Sequence, residues 1–155
     1  MKEIPLTKGK VALVDDSDFE WLMQWKWYYL DDRNGYALRS FKRSLVWMHR
    51  VIMNAPKDMQ VDHINCNSID NRRCNLRLCS QSENQRNRGA TKKSVNGYKG
   101  LHWHRGKWQV QITVNGQSTH LGTFTDEIEA AKAYDKAARE LHGEFARLNF
   151  PAERS

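Results

Sequence analysis

The stretch VDHINCNSIDNRRCNLRLCSQSENQRNR, residues 61–88, decides how the first half of the chain is read. An acid and an imidazole, Asp62 and His63, stand side by side at the end of a short apolar strand. A loop full of amides and arginines follows, then Leu76–Cys79 as a second short strand. Ser80-Gln81-Ser82-Glu83 has the spacing of a capping box, in which the serine hydroxyl and the glutamate carboxylate satisfy each other's backbone N–H groups. A helix is predicted to start there, with Asn84 in its first turns.

Around this stretch the composition is that of a folded, basic protein. The 155 residues are 39% apolar and 28% charged, enough for one domain or two small ones. Six Trp and five Tyr bring large buried area to a modest core. The formal charge of +7 favours a polyanionic partner, nucleic acid ahead of an acidic membrane. That charge is concentrated: residues 71 to 108 hold ten Lys or Arg against one acid, Glu83. Cys66, Cys74 and Cys79 form no paired C-x-x-C, which argues against both a disulfide framework and a zinc ribbon and fits a reducing compartment. No run approaches the ~20 apolar residues of a membrane span. The N-terminus lacks a signal-peptide core, so a cytoplasmic location without a membrane partner is expected.

Residues 1–58 read as a β-rich lead-in. Residues 10–14 form a short strand, and Ser17 or Asp18 caps a short helix through Phe19, Trp21, Leu22 and Trp25. Trp27-Tyr28-Tyr29 and Tyr36-Ala37-Leu38-Arg39 make a hairpin about Asn34-Gly35, because Asn-Gly supplies the positive φ such turns need. The Trp cluster reads as core packing rather than base stacking. Residues 45–53 are a further apolar stretch carrying His49-Arg50. Residues 89–97 are small, polar and basic, and read as a linker between a domain at 1–88 and a second at 98–151.

The second domain changes period. Trp108, Val110, Ile112 and Val114 alternate with Gln109, Gln111 and Thr113, a half-buried strand. Asn115-Gly116 turns the chain, and residues 98–104 and 118–124 flank it as outer strands. Thr125 or Asp126 caps a helix whose inward positions are Ile128, Ala131, Tyr134, Ala138 and Leu141; Gly143 ends it. The predicted fold class is α+β: a strand–loop–strand–helix domain, then a three-stranded antiparallel sheet packed on one helix. The open face of that sheet offers Lys99, His102, His104, Arg105, Gln111, Thr113 and His120.

The first stretch resembles the HNH nuclease motif in the variant whose last His is an Asn, as in homing endonucleases of mobile introns or phages. The resemblance implies that Asp62 and Asn84 bind a metal, that His63 is the general base, and that Asn75 ties the loop and orients that base. His49-Arg50 matches a recurrent pair ahead of the motif and is read as supporting the site rather than catalytic. The second domain, from Tyr98-Lys99-Gly100 to Leu148-Asn149-Phe150-Pro151, is similar to the plant ethylene-response-factor (APETALA-class) domain, whose sheet face meets DNA in the major groove. His102, His104, Thr113 and His120 depart from the plant pattern, so the plant target is not expected.

Phosphodiester hydrolysis needs an activated water, charge stabilisation at phosphorus and help for the leaving oxygen. Histidine has an ordinary pKa of about 6.5, suited to a base near neutral pH. An extended backbone sends Asp62 and His63 to opposite faces, so one can meet a metal while the other faces the water. Two hard protein oxygens with water and phosphate suit Mg²⁺, with Mn²⁺ as the alternative. Arg72, Arg73, Arg77, Arg86, Arg88, Lys92 and Lys93 are expected on the phosphate backbone of double-stranded DNA. Neutralising ~6 phosphates gives a slope of about −5 in log K against log salt. A single nuclease unit cuts one strand at a time, so the protein acts as a monomer or a dimer. The competing reading is a DNA-binding regulator with a degenerate nuclease domain.

Overall fold

The computed structural model describes residues 1–31, 35–87 and 97–151. The chain divides into two compact units, Met1–Asn84 and Gln85–Ser155. Both mix helix and strand, in keeping with the α+β expectation. Among the described residues no helix is long and apolar enough to cross a membrane.

The first unit begins with an antiparallel ribbon, β1 (Lys2–Pro5) on β2 (Val11–Val14), in the register Ile4↔Ala12. α1 (Asp16–Leu22) follows. It is shorter than the sequence suggests: Trp25 closes a turn on the Leu22 carbonyl, and Trp27 is buried with its Nε1 donating to the same oxygen at 2.9 Å. Its N-cap is Asp15, whose carboxylate caps nothing in the helix. A three-stranded sheet comes next, β3 (Tyr28–Leu30), β4 (Tyr36–Phe41) and β5 (Ser44–Trp47), in that spatial order. Asn34 of the expected turn lies outside the described residues. The apolar stretch at 45–53 is two elements, β5 and then α2 (Met48–Ile52), which drops Met48 and Ile52 into the core. That core joins Ile4, Val14, Leu22, Trp27 and Ala37 to Val61 and Leu76 of the stretch quoted above.

β6 (Gln60–His63) and β7 (Leu76–Cys79) pair antiparallel with Asp62 opposite Arg77 and His63 opposite Leu76. α3 (Gln81–Arg86) follows, closed by the expected capping box: Ser80 N donates to Glu83 Oε2 at 2.7 Å, and Glu83 N to Ser80 Oγ at 3.3 Å. The lead-in ribbon holds the long loop between β6 and β7. Leu13 N donates to the Ile69 carbonyl at 2.9 Å and Asn71 N to the Leu13 carbonyl at 2.8 Å.

In the second unit β8 (Leu101–His104), β9 (Lys107–Val114) and β10 (Gln117–Phe124) form an antiparallel sheet with β9 central. α4 (Glu127–His142) covers one side, capped by the Asp126 carboxylate on Glu129 N at 2.8 Å and ended at Gly143, φ 54°. The buried stripe of α4 is Ala130, Ala131, Tyr134, Asp135, Ala138 and His142. Ile128 and Leu141, expected inward, are exposed. The stripe carries two polar groups because each has a buried task. Asp135 accepts from Asn149 N and Phe150 N at 2.7 and 2.8 Å, and His142 Nε2 lies 3.1 Å from the Thr113 carbonyl. Gly100, φ +82°, is where helix and sheet come closest: a Cβ there would sit 2.1 Å from the Tyr134 ring.

Candidate active site

The β6–β7–α3 unit presents two chemically different faces. Alternation along β6 puts Gln60 and Asp62 on one side and Val61 and His63 on the other. On the first side Arg77 donates from Nε and Nη2 to Asp62 Oδ2 at 2.9 and 2.7 Å. Both partners are largely buried. Asn84, in the first turns of α3, donates its amide nitrogen to Gln60 Oε1 at 2.6 Å. With the nitrogen so used, the carboxamide oxygen is the atom of Asn84 that is left to hold a cation. A carboxylate and an amide oxygen are hard donors, fitting a divalent ion that keeps much of its water. Asp62 carries one complication: in the free protein Arg77 already neutralises its charge.

On the second side His63 is buried rather than open to solvent. Its Nε2 lies 3.3 Å from Asn71 Oδ1. With that oxygen accepting, the ring proton sits on Nε2 and the lone pair of the neutral ring on Nδ1. Burial pushes the His63 pKa down, against the opposing pull of Asn71, Asp62 and Asp70. The ring meets His49 edge-to-face at 5.1 Å between centroids and lies 6.0 Å from Tyr36. At this strand end the imidazole is one of a packed pair. The face bearing Val61 and His63 is the one that closes on the core.

A cleft of 220 Å³ opens beside this pair, walled by Tyr36, Trp47, His49, Arg50, Gln60, Val61 and Asn84. The imidazole in the wall of this cleft is His49, not His63. Burial pushes the His49 pKa down to about 3, with the charges of His63 and Arg50 adding to the effect. Arg50 is committed to structure. It donates from Nη1 to the Met59 carbonyl at 2.7 Å and from Nη2 to those of Ala55 and Pro56 at 3.3 and 2.7 Å, locking the loop after α2.

Asn75 ties the loop behind the site. Its Oδ1 accepts from Asn65 N at 3.0 Å and its Nδ2 donates to the Asp70 carbonyl at 2.8 Å. The arginines expected on DNA are engaged nearer home. Arg72 grips Asp70 from Nε and Nη2 at 2.7 and 2.6 Å. Arg73 grips the buried Asp18 of α1 at 2.8 and 2.7 Å, while its backbone N–H donates to Asp15 at 2.8 Å. These pairings hold the carboxyls of Asp18 and Asp70 below the usual carboxylate range. With Arg77 on Asp62, all three arginines have carboxylate partners within the chain, so the loop is built with them. Arg88, Lys92 and Lys93 lie outside the described residues.

In the second unit, Arg86 donates to Asn115 Oδ1 at 2.9 Å and the Lys99 ammonium to the Arg86 carbonyl. The open sheet face runs His102 opposite Gln109 and Gln111 opposite His120, with Thr113 opposite Ser118. Arg105 sits in the tight turn between β8 and β9 at φ 47°. A bulge between His120 and Gly122 shifts the register, so Thr123 lies opposite Gln109 and joins the polar face. Reading strict alternation along β10 misses Thr123. Gln60 and Gln109, by contrast, were within reach of the alternation rule, each being two residues from a named site residue on its strand. Tyr36 and Trp47 had no such signal.

The paired strands, amide-tied loop and capped helix at residues 60–86 make a ββα unit of the kind that nucleases use. The sequence signature of an HNH endonuclease matches residues 46–86 of this chain. An uncharacterized HNH endonuclease of Acanthamoeba polyphaga mimivirus is 30% identical over 155 residues, covering 92% of this chain and 76% of that protein. Protein 3.8 of Escherichia phage T7 is 36% identical over 95 residues, 60% of this chain and 78% of that protein. Dehydration-responsive element-binding protein 2C of Arabidopsis thaliana is 40% identical over 67 residues, 41% of this chain but 20% of the plant protein. The chain belongs to the HNH endonuclease family.

Proposed function

We propose that this protein is an endonuclease of homing type that hydrolyses phosphodiester bonds in double-stranded DNA, with Asp62 and Asn84 holding a Mg²⁺ or Mn²⁺ ion and His63 as general base. The observation that carries the reading is the hydrogen bond from Asn84 of α3 to Gln60, which strand alternation puts on the same side of β6 as Asp62. When bound, the metal supplies Lewis-acid polarisation of the phosphoryl oxygen and stabilises the leaving oxyanion.

The chain's own residues do the rest. His63 is held neutral by burial, the protonation state a base must have before it takes a proton from the attacking water. Asn71 fixes the tautomer of that ring. Asn75 keeps the β6–β7 loop in register, so the imidazole and the carboxylate diverge from a rigid strand end. Arg77 compensates the Asp62 charge in the free protein, where that carboxylate would help to hold the cation. The second unit reads DNA with its open sheet face, where Gln109, Gln111, His102 and His120 stand in cross-strand pairs. A sheet of this width enters the major groove of B-form DNA, where amide side chains can distinguish base edges. The likeness to a plant element-binding protein supports DNA as the ligand.

The test is supercoiled plasmid incubated with the protein in Mg²⁺, in Mn²⁺ or in chelator, beside His63→Ala. Metal-dependent nicking that the variant loses while still binding DNA supports the enzyme. Binding without cleavage in any divalent metal would make the protein a DNA-binding regulator instead.

A further inference from the structure

We propose that His49 is a catalytic residue of this site: its neutral imidazole donates a hydrogen bond to a non-bridging oxygen of the phosphate that lies in the cleft beside Asn84. The inference rests on the nuclease reading above and goes beyond it, because that reading assigns the acid–base work to His63 alone.

Position is the first ground. His49 is the second residue of α2 and walls the same cleft as Asn84 and Gln60. A phosphate approaching a cation held at Asn84 comes to this wall. His63 stands in edge-to-face contact with His49 at 5.1 Å. The base and the proposed donor are therefore neighbours.

The second ground is what the ring lacks. His49 is 8% exposed, and its Nδ1 is buried with no hydrogen-bond partner. An unpaired buried nitrogen destabilises a fold, and an aliphatic or phenyl side chain would fill the space between Tyr36 and Trp47 without that cost. A core role alone does not account for an imidazole here. With Nδ1 sealed off, Nε2 is the nitrogen through which the ring can serve the cleft. The flanking Arg50 does not displace it, since its guanidinium is committed to three backbone carbonyls.

Neutrality defines the role. Burial keeps His49 uncharged across the physiological range, so it offers an N–H rather than a positive charge. A fixed neutral donor strengthens its bond as negative charge grows on the phosphoryl oxygens, and so favours the transition state over the ground state. No proton is transferred by His49 in this role; the ring keeps its Nε2 proton throughout, and His63 alone takes one from water.

The experiment uses the full-length protein, Mg²⁺ and a plasmid or duplex that the wild type cleaves. His49→Phe keeps an aromatic ring and removes the donor; His49→Gln keeps an N–H donor. Thermal midpoints and DNA affinity are measured for each, and His49→Leu serves in place of His49→Phe if the latter does not fold. Loss of one such donor lowers the rate constant on the order of 100-fold. That is the expected effect of His49→Phe, with DNA affinity within about threefold of wild type, while His49→Gln recovers at least about tenfold of the loss. Sulfur in place of the non-bridging oxygen is expected to slow the wild type more than His49→Phe. Cleavage by folded His49→Phe within threefold of wild type would overturn the role of His49. Equal loss in the Phe and Gln variants, with an unchanged sulfur effect, would overturn it too. No cleavage by the wild type itself is a separate failure, which removes the nuclease reading.

Discussion

Acid should destabilise the Met1–Asn84 unit well above the range in which carboxylates titrate, and His49 is the reason. Burial holds its folded-state pKa at about 3, against an ordinary value of 6.5. The folded ring stays neutral while the unfolded ring takes up a proton, so between those two values the unfolded state binds more protons. The stability that His49 contributes is therefore fully present above its unfolded value and is lost as pH falls toward the folded one. Going from about pH 7 to about pH 5, the difference in proton uptake amounts to about 2 kcal/mol from this one ring. That is a large share of the 5–15 kcal/mol that typically separates folded from unfolded chains. His63, also pushed down by burial, acts in the same direction. The assay is urea unfolding of the full chain at a series of pH values, beside His49→Phe, with the imidazole proton of His49 followed by NMR. The wild type should lose about 2 kcal/mol more than the variant over that interval. An identical pH dependence in both proteins, or a His49 resonance titrating with a midpoint near 6.5, would refute the buried neutral ring.

Three substitutions test other parts of the structure. Arg77→Ala leaves the buried Asp62 carboxylate without its compensating cation; the metal-free protein should lose about 3 kcal/mol by urea unfolding, while divalent-metal affinity by calorimetry rises. Arg73→Ala removes the guanidinium from Asp18, but Arg73 is half exposed, so the expected loss is about 1–2 kcal/mol, with the salt slope of DNA binding changed by less than about one unit. A full unit of slope would instead place Arg73 on a phosphate. Gly100→Ala drives a methyl group into the Tyr134 ring at a positive φ; thermal unfolding should show the second unit destabilised by at least ~2 kcal/mol.

The local grammar of the chain was legible because it depends on near neighbours. The capping box at Ser80 and Glu83, the alternation of β9 and the glycine stop after α4 each involve residues within a few positions of one another. What could not be read lies far apart in sequence. Arg72, Arg73 and Arg77 look like a basic surface beside a phosphate site until the fold supplies their acids. Asp18 reaches Arg73 across 55 residues, and nothing local in α1 marks it as a loop anchor rather than a helix cap. The cleft has the same origin: Tyr36, Trp47 and His49 come from β4, β5 and α2, and meet Gln60 and Asn84 only after the unit has closed. The two-sided placement of Asp62 and His63 followed from strand alternation. The burial of His63 did not, because it depends on which face of β6 meets the core. In the second unit, one bulge after His120 was enough to move Thr123 onto the polar face.

The most direct measurement is where a divalent ion sits. Mn²⁺ added to isotope-labelled protein with a DNA duplex should broaden the side-chain resonances of Asn84 and Gln60 and the backbone of Asp62 ahead of all others, and Asp62→Ala should abolish the effect. Mn²⁺ that leaves those signals sharp, or broadens them equally in the variant, would contradict a shared cation between β6 and α3.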